Sequence, residues 1–258
     1  MKDKRKTVRI LSVNVDSITL KELTASLEKR LDEGRRTVIF TPNTQMLLRA
    51  ERDPRLCRLL KVSDINIPDG IGLIMASHLL GSPLPERIAG IDLAEELLRI
   101  SAEKGLSVFL LGGKGGNARR AERRLCDKYP LLRVCGCHNG YFIKSGEENE
   151  RVLRLIKKAH PRLLFVCLGS PAQEHWIADN ISRLPSVTLA IGLGGSIDVW
   201  AGAVKRAPAG IQALGLEWMW RAMLQPKRMR ILADIPRFFY LIEKQKKRSR
   251  RNALSADF

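Results

Sequence analysis

The sequence has no Asp-x-Asp anywhere, so it lacks the paired carboxylates that hold a divalent metal in many nucleotide-sugar enzymes. It also lacks G-x-G-x-x-G and the Walker A spacing, which removes the usual signatures of dinucleotide-binding and ATP-hydrolysing enzymes. No run of about 18 apolar residues occurs, so no segment is expected to span a bilayer. The charged start, Met1-Lys-Asp-Lys-Arg-Lys, leads into no apolar stretch of signal-peptide type, and a cytoplasmic chain is expected. The five cysteines are odd in number, and only Cys135 and Cys137 stand close together. A lone C-x-C pair is no zinc framework, so free thiols in a reducing compartment are expected. His78, His138, His160 and His175 have no ligand spacing. Neither a metal nor another cofactor is expected. Acids, finally, are scarce: 27 Asp and Glu against 45 Lys and Arg leave a net charge of +18. That excess favours nucleic acid, anionic lipid or phosphorylated substrates, without choosing among them.

What is present reads as α/β. Strand patterns at Val8–Val13, Thr37–Phe40, Ile65–Ile67, Ser107–Leu111, Leu131–Cys137, Leu163–Leu168 and Thr188–Ile191 alternate with helical ones. The latter include Thr19–Glu33, Leu93–Lys104, Gly116–Lys128 and Glu147–Ala159. Such alternation predicts βαβ units in a doubly wound, mostly parallel, Rossmann-like sheet. After about residue 205 strand patterns stop and charge turns positive. The division expected is a core over 1–204 and a helical, basic appendage over 205–258.

In open α/β sheets ligands bind beyond the carboxyl ends of the strands, and polar residues cluster there in this sequence. Thr41 and Asn43 follow the Thr37–Phe40 pattern and suit either a crevice or a helix N-cap. Asp69, in Pro68-Asp69-Gly70, is a candidate general base or a turn residue. Arg87 sits in a short loop from which it can neutralise developing charge. Gly112 and Gly113 open a glycine-rich turn; Gly192, Gly194, Gly195 and Asp198 form a second. Both suit phosphates approaching backbone N–H groups, and both suit plain tight turns. Gln173 and Glu174 end another strand, as caps or as sugar contacts.

Downstream, Ile231, Leu232, Ile235, Phe238, Phe239 and Ile242 fall on one helical face, with Arg230, Arg237, Lys244 and Arg248 opposite. Pro236 is expected to split this stretch into two short helices. A basic amphipathic helix of this kind suits an anionic membrane surface, or a core-packed helix with a solvated face. Met219, Trp220, Met223 and Leu224 suit the core, another subunit in a homo-oligomer, or lipid.

These stations, in this order, resemble the WecG/TagA/CpsF family of bacterial glycosyltransferases. The likeness runs from Thr41-Pro-Asn43-Thr and Pro68-Asp69-Gly70-Ile-Gly72 through Glu86-Arg87-Ile-Ala-Gly90 and Leu168-Gly-Ser-Pro171-Ala-Gln173-Glu174. It continues with Gly192-x-Gly194-Gly195-x-x-Asp198, Arg206-Ala207-Pro208 and Gly215-Leu-Glu217-Trp218. The resemblance implies an inverting, metal-independent transfer from a UDP-sugar to an undecaprenyl-diphosphate-linked acceptor in cell-surface polymer synthesis. N-acetylmannosamine is the expected donor sugar, with glucose and the mannosaminuronic acid as alternatives. It further implies Asp69 as catalytic base beside Arg87, with Thr41, Asn43 and Gln173 as the pocket, and Arg221 and Arg228 toward diphosphate. Nucleotide contacts are expected at Gly112, Gly113, Gly192, Gly194, Gly195 and Asp198. The expected location is the inner face of the cell membrane, held peripherally, with no nucleic acid bound. The rival reading, a basic nucleic-acid-binding protein, explains the charge and leaves the strand-end residues without a purpose.

Overall fold

The structure, a computed structural model, describes residues 5–213, 215–224 and 230–254. It begins with a two-stranded antiparallel hairpin, β1 (Thr7–Ile10) and β2 (Val13–Asp16). The single strand expected over Val8–Val13 is thus two, because Leu11 takes a left-handed φ of 54° and reverses the chain. Helix α1 (Leu20–Asp32) follows, started by a Thr19/Glu22 capping box. Then come β3 (Thr37–Phe40), α2 (Thr44–Ala50), α3 (Pro54–Val62), β4 (Ile65–Asn66), α4 (Ile71–Leu79) and α5 (Gly90–Lys104). Next are β5 (Ser107–Gly112), α6 (Asn117–Lys128), β6 (Arg133–His138), α7 (Gly146–Ala159), β7 (Leu163–Cys167) and α8 (Ala172–Asn180). The chain ends with β8 (Leu189–Gly192), α9 (Ser196–Trp200), α10 (Ala209–Ala213), α11 (Glu217–Leu224) and α12 (Arg230–Leu254).

Strands β3 to β8 form one six-stranded sheet, every pair parallel, in the order β4-β3-β8-β7-β5-β6. Parallel strands must be covered on both faces, and their residues alternate between two cores. Ile39, Val108, Leu110, Leu163, Phe165, Leu189 and Ile191 pack toward α1, α5, α6 and α9. Phe40, Phe109, Leu111, Leu164, Val166 and Ala190 pack toward the hairpin, α2, α3, α4, α7 and α8. The doubly wound sheet read from the sequence is the one observed.

The C-terminal segment departs from expectation once and, at a second point, takes one of the two arrangements expected. Pro236 lies within one helix of 25 residues, with no break there. And the apolar face of α12 is turned to the protein, where Phe238 and Ile242 are fully buried in the second core. Each stabilises the fold by roughly 1.5–3 kcal/mol. The Gln245 carboxamide completes the docking: it donates to the carbonyl of Arg9 (2.9 Å) and accepts from the N–H of Leu11 (2.8 Å) at the hairpin turn. Apolar contact with lipid by that face is therefore replaced by packing against α2 and α4. The opposite face, with Arg237, Lys244, Lys247, Arg248, Arg250 and Arg251, is exposed.

Candidate active site

Two cavities meet at the carboxyl edge of the sheet. The larger, about 930 Å³, is walled by residues following five strands: Thr41 and Asn43 after β3, Asp69 after β4, Gly140 to Lys144 after β6, Leu168 to Ser170 after β7, and Leu193 to Gly195 after β8. Gly113 and Lys114, after β5, complete the ring. This is the crevice that the strand-end rule predicts. The smaller, about 400 Å³, opens between α4, the start of α5, α11 and α12. Its walls are more apolar, with Ile71, Met75, Leu216, Trp218, Ile235 and Phe239. Asn43, Gln45, Asp69 and Leu193 belong to both walls.

Asp69 is held at that junction by its backbone, whose N–H donates to the carbonyls of Pro42 (3.1 Å) and Ile67 (2.9 Å). Its side chain is half-buried. Asn43 fills both roles open to it. Its Oδ1 accepts from the N–H of Met46 (3.1 Å) as the N-cap of α2, and the same residue faces both cavities. Buried Thr41 donates to the carbonyl of Gly192 (3.1 Å), tying the β3 and β8 ends together. Arg87 lines the smaller cavity, with Nη1 3.6 Å from Glu217 and Nη2 donating to the carbonyl of Gln212 (3.2 Å).

Gln173 lines the larger cavity with both ends of its amide engaged. Nε2 donates to Glu174 (2.8 Å) and Oε1 accepts from the N–H of Gly194 (2.9 Å). It therefore braces the β8 turn from within the wall. Burial pushes the Glu174 carboxyl above its ordinary value, against the opposing amide of Gln173 and charge of Arg49.

The glycine-rich turns divide similarly. Gly113, Gly194 and Gly195 face the larger cavity, whereas Gly112 and Gly192 stand behind it. At Gly112 the backbone has a φ of 136° and a Cβ would overlap the Cys167 carbonyl; at Gly192 a Cβ would press on Gln173. Close packing suits glycine at those two positions, and at Gly112 the positive φ does so as well. Asp198 lines the cavity and clamps the two turns, its Oδ1 accepting from the N–H of Lys114 (3.1 Å) and Nδ2 of Asn117 (2.5 Å). Of the arginines expected toward diphosphate, Arg228 lies outside the described residues. Arg221 belongs to α11, and its side chain also lies outside them.

Sequence reasoning gave the segment after β6 no role in the site, although Gly140-Tyr141-Phe142 is similar to the family there. Tyr141, Phe142, Ile143, Lys144 and Glu148 all line the larger cavity. Lys144 Nζ lies 4.3 Å from the centre of the Phe142 ring and donates to the carbonyls of Gly140 (2.5 Å) and Phe142 (2.6 Å). Partial burial lowers its pKa, opposed by the Glu148 charge. Gly140-Tyr141-Phe142 was the visible signal, and a position just after a strand was the reason to heed it. Glu217, on the wall of the smaller cavity, is joined at 3.1 Å to Arg206; both stand in stretches that carry the resemblance, but neither was given a role in the site.

The five cysteines are free. Burial drives the Cys167 and Cys137 thiols up to about 12, so neither is a ready nucleophile at neutral pH. Among the described residues no helix is long and apolar enough to cross a membrane.

Comparison with known proteins agrees with this architecture. The Glycosyl transferase WecG/TagA/CpsF family matches residues 8–252. A Bacillus subtilis (strain 168) protein, N-acetylglucosaminyldiphosphoundecaprenol N-acetyl-beta-D-mannosaminyltransferase, is 36% identical over 222 residues, 86% of this chain and 85% of its own. A Staphylococcus aureus (strain NCTC 8325 / PS 47) protein of the same name is 34% identical over 243 residues, 93% of this chain and 94% of its own.

Proposed function

The chain belongs to the WecG/TagA/CpsF family of glycosyl transferases, and from that premise we propose that it moves N-acetylmannosamine from a UDP-sugar to N-acetylglucosaminyl-diphosphoundecaprenol. The observation that carries the reading is the place of Asp69 on the shared wall of two unlike cavities. A group transfer needs two substrates to meet at one base. The larger cavity, ringed by strand ends, glycine N–H groups, Lys114 and Lys144, suits a nucleotide diphosphate. The smaller one, lined by Met75, Leu216, Trp218 and Phe239, suits the amphiphilic acceptor.

Asp69 takes the proton of the acceptor hydroxyl as its oxygen attacks the anomeric carbon. Attack comes from the face opposite the departing UDP and inverts that centre. Charge developing on the diphosphate is met by backbone N–H groups, Lys114 and Lys144, without a metal; Arg87 steadies the reacting sugars from the acceptor side. The exposed cations of α12 hold the enzyme against anionic lipid at the inner face of the membrane, where the acceptor lies.

The test is UDP release from a panel of UDP-sugars with a short-chain lipid-diphosphate acceptor. N-acetylmannosamine is expected to exceed glucose and the uronic acid by at least tenfold. A glucose preference would redirect the donor assignment, and UDP release independent of acceptor would remove the two-cavity reading.

A further inference from the structure

Four charged groups, beginning on the wall of the smaller cavity, form a chain of alternating sign. Glu217, the first residue of α11, directs Oε2 toward Nη1 of Arg87 (3.6 Å) and accepts through Oε1 from Nε of Arg206 (3.1 Å). Nη2 of Arg206 in turn lies 2.6 Å from Asp92 Oδ1, in the first turn of α5. The Glu217 side chain is 12% exposed and that of Arg87 is 17% exposed, so both charges are largely withdrawn from water and need partners. Burial works against the charge on Arg206, but Glu217 and Asp92 more than offset it and raise its pKa. Two cations and two carboxylates leave the group neutral. Arg87 and Glu217 line the cavity, while Arg206 and Asp92 are on neither cavity wall.

Both terminal amino groups of Arg87 are thus engaged from far along the chain. Glu217 holds one, and the Gln212 carbonyl, 125 positions downstream, holds the other. An unheld arginine keeps many rotamers, and catalysis needs one of them. We infer that Glu217 is a positioning residue: it fixes the guanidinium of Arg87 on the cavity wall, while Arg206, anchored by Asp92, holds the Glu217 carboxylate in place. The inference rests on the role given above to Arg87. It makes the site depend on α11 being docked, since Glu217 supplies the only carboxylate within ion-pair distance of Arg87 among the described residues.

The experiment is steady-state kinetics on full-length Glu217→Gln, Glu217→Asp and Arg206→Gln, each alone and with Arg87→Lys, alongside thermal unfolding. A misplaced catalytic group costs up to about 100-fold. Glu217→Gln is expected to lower kcat by roughly 10- to 100-fold, with the donor KM within about twofold of wild type. Glu217→Asp should recover part of the loss, and Arg206→Gln should lose several-fold. In the Arg87→Lys background Glu217→Gln should cost less than about twofold more, because the group it positions has already been replaced. Wild-type kcat in both Glu217→Gln and Arg206→Gln would overturn the proposal, as would an equal fold-loss with and without Arg87→Lys. Should Glu217→Gln fail to fold, Glu217→Asp and Arg206→Gln carry the same comparison. If Arg87→Lys and Arg87→Met both turn over at the wild-type rate, the role of Arg87 fails first, and the positioning proposal with it. Slow Arg87 variants beside wild-type-like Glu217 and Arg206 variants would sink the positioning proposal alone.

Discussion

The two cavities share Asn43, Gln45, Asp69 and Leu193 and differ in the rest of their construction. The larger is made by the sheet: its wall comes from turns following strands, and backbone groups, small residues and two lysines face inward. The smaller is made by helices: α4, α11 and α12 give it aliphatic and aromatic walls, and residues as far apart as Ile71 and Phe239 meet in it. A polar recess at the ends of parallel strands takes its spacing from the sheet, because neighbouring strands are joined by hydrogen bonds. A recess between helices depends on side-chain packing, and here that packing is completed by the last helix. In the function proposed above, this difference assigns one substrate to the sheet and the other to the C-terminal helices.

The sharpest way to break this comparison is at the shared wall. Asp69→Asn is expected to lower kcat by on the order of 10²- to 10⁴-fold while UDP binding and melting temperature stay near wild type. Wild-type-like turnover would leave the junction without its base. The next largest effect separates docking on lipid from docking on the core. Replacing Lys246, Lys247, Arg250 and Arg251 with Gln removes about 1 kcal/mol of attraction per cation. Binding to vesicles containing anionic lipid should fall by about two to three decades in a sedimentation assay. Soluble donor binding should be unchanged, since none of these residues lines either cavity. Equal binding to neutral and anionic vesicles would contradict this.

Smaller still, Met75→Gln should raise the acceptor KM several-fold and leave the donor KM alone, because Met75 lines only the helical cavity. A matching rise in the donor KM would merge the two cavities into one functional site. The smallest effect is on stability and concerns the bracing of the sheet cavity. Burial raises the Glu174 carboxyl above its ordinary value of 4.5, so the folded protein binds this proton more tightly than the unfolded chain. Wild-type stability therefore falls as pH rises from about 4.5 through the raised value, and the full penalty is present above it. Glu174→Gln should remove that slope, so the melting-temperature gap in favour of the variant opens with rising pH. A constant gap from pH 4 to 8 would show that Glu174 does not titrate in this way.

Much of this was legible in the sequence, and unevenly so. The α/β class, the parallel sheet and its six strands were readable because strands buried on both faces are apolar throughout, as in Val108–Leu111 and Leu163–Cys167. The strand-end residues Thr41, Asn43, Asp69, Gly113 and Gly194 were readable as a set, since chain topology alone sends them to one edge. The hairpin turn at Leu11 was not, because a leucine at a φ of 54° carries no turn signal. Nor was the passage of α12 through Pro236, which local propensity argues against and which the burial of Phe238 and Ile242 offsets.

The sequence by itself determined which polar residues follow strands and which end of a parallel sheet they occupy, because periodicity and strand ends follow from local pattern. It also determined that α12 is amphipathic. Only the tertiary structure decided what the apolar side of that helix covers: an amphipathic face says it must be buried, and its partner depends on contacts more than a hundred positions away. The same holds for Gln173, Gly112 and Arg87. Their types suited substrate, but hydrogen bonds to Gly194, close approach to Cys167 and the ion pair to Glu217 are long-range facts. Local physical chemistry proposes partners for a polar side chain, and only the packed chain chooses among them.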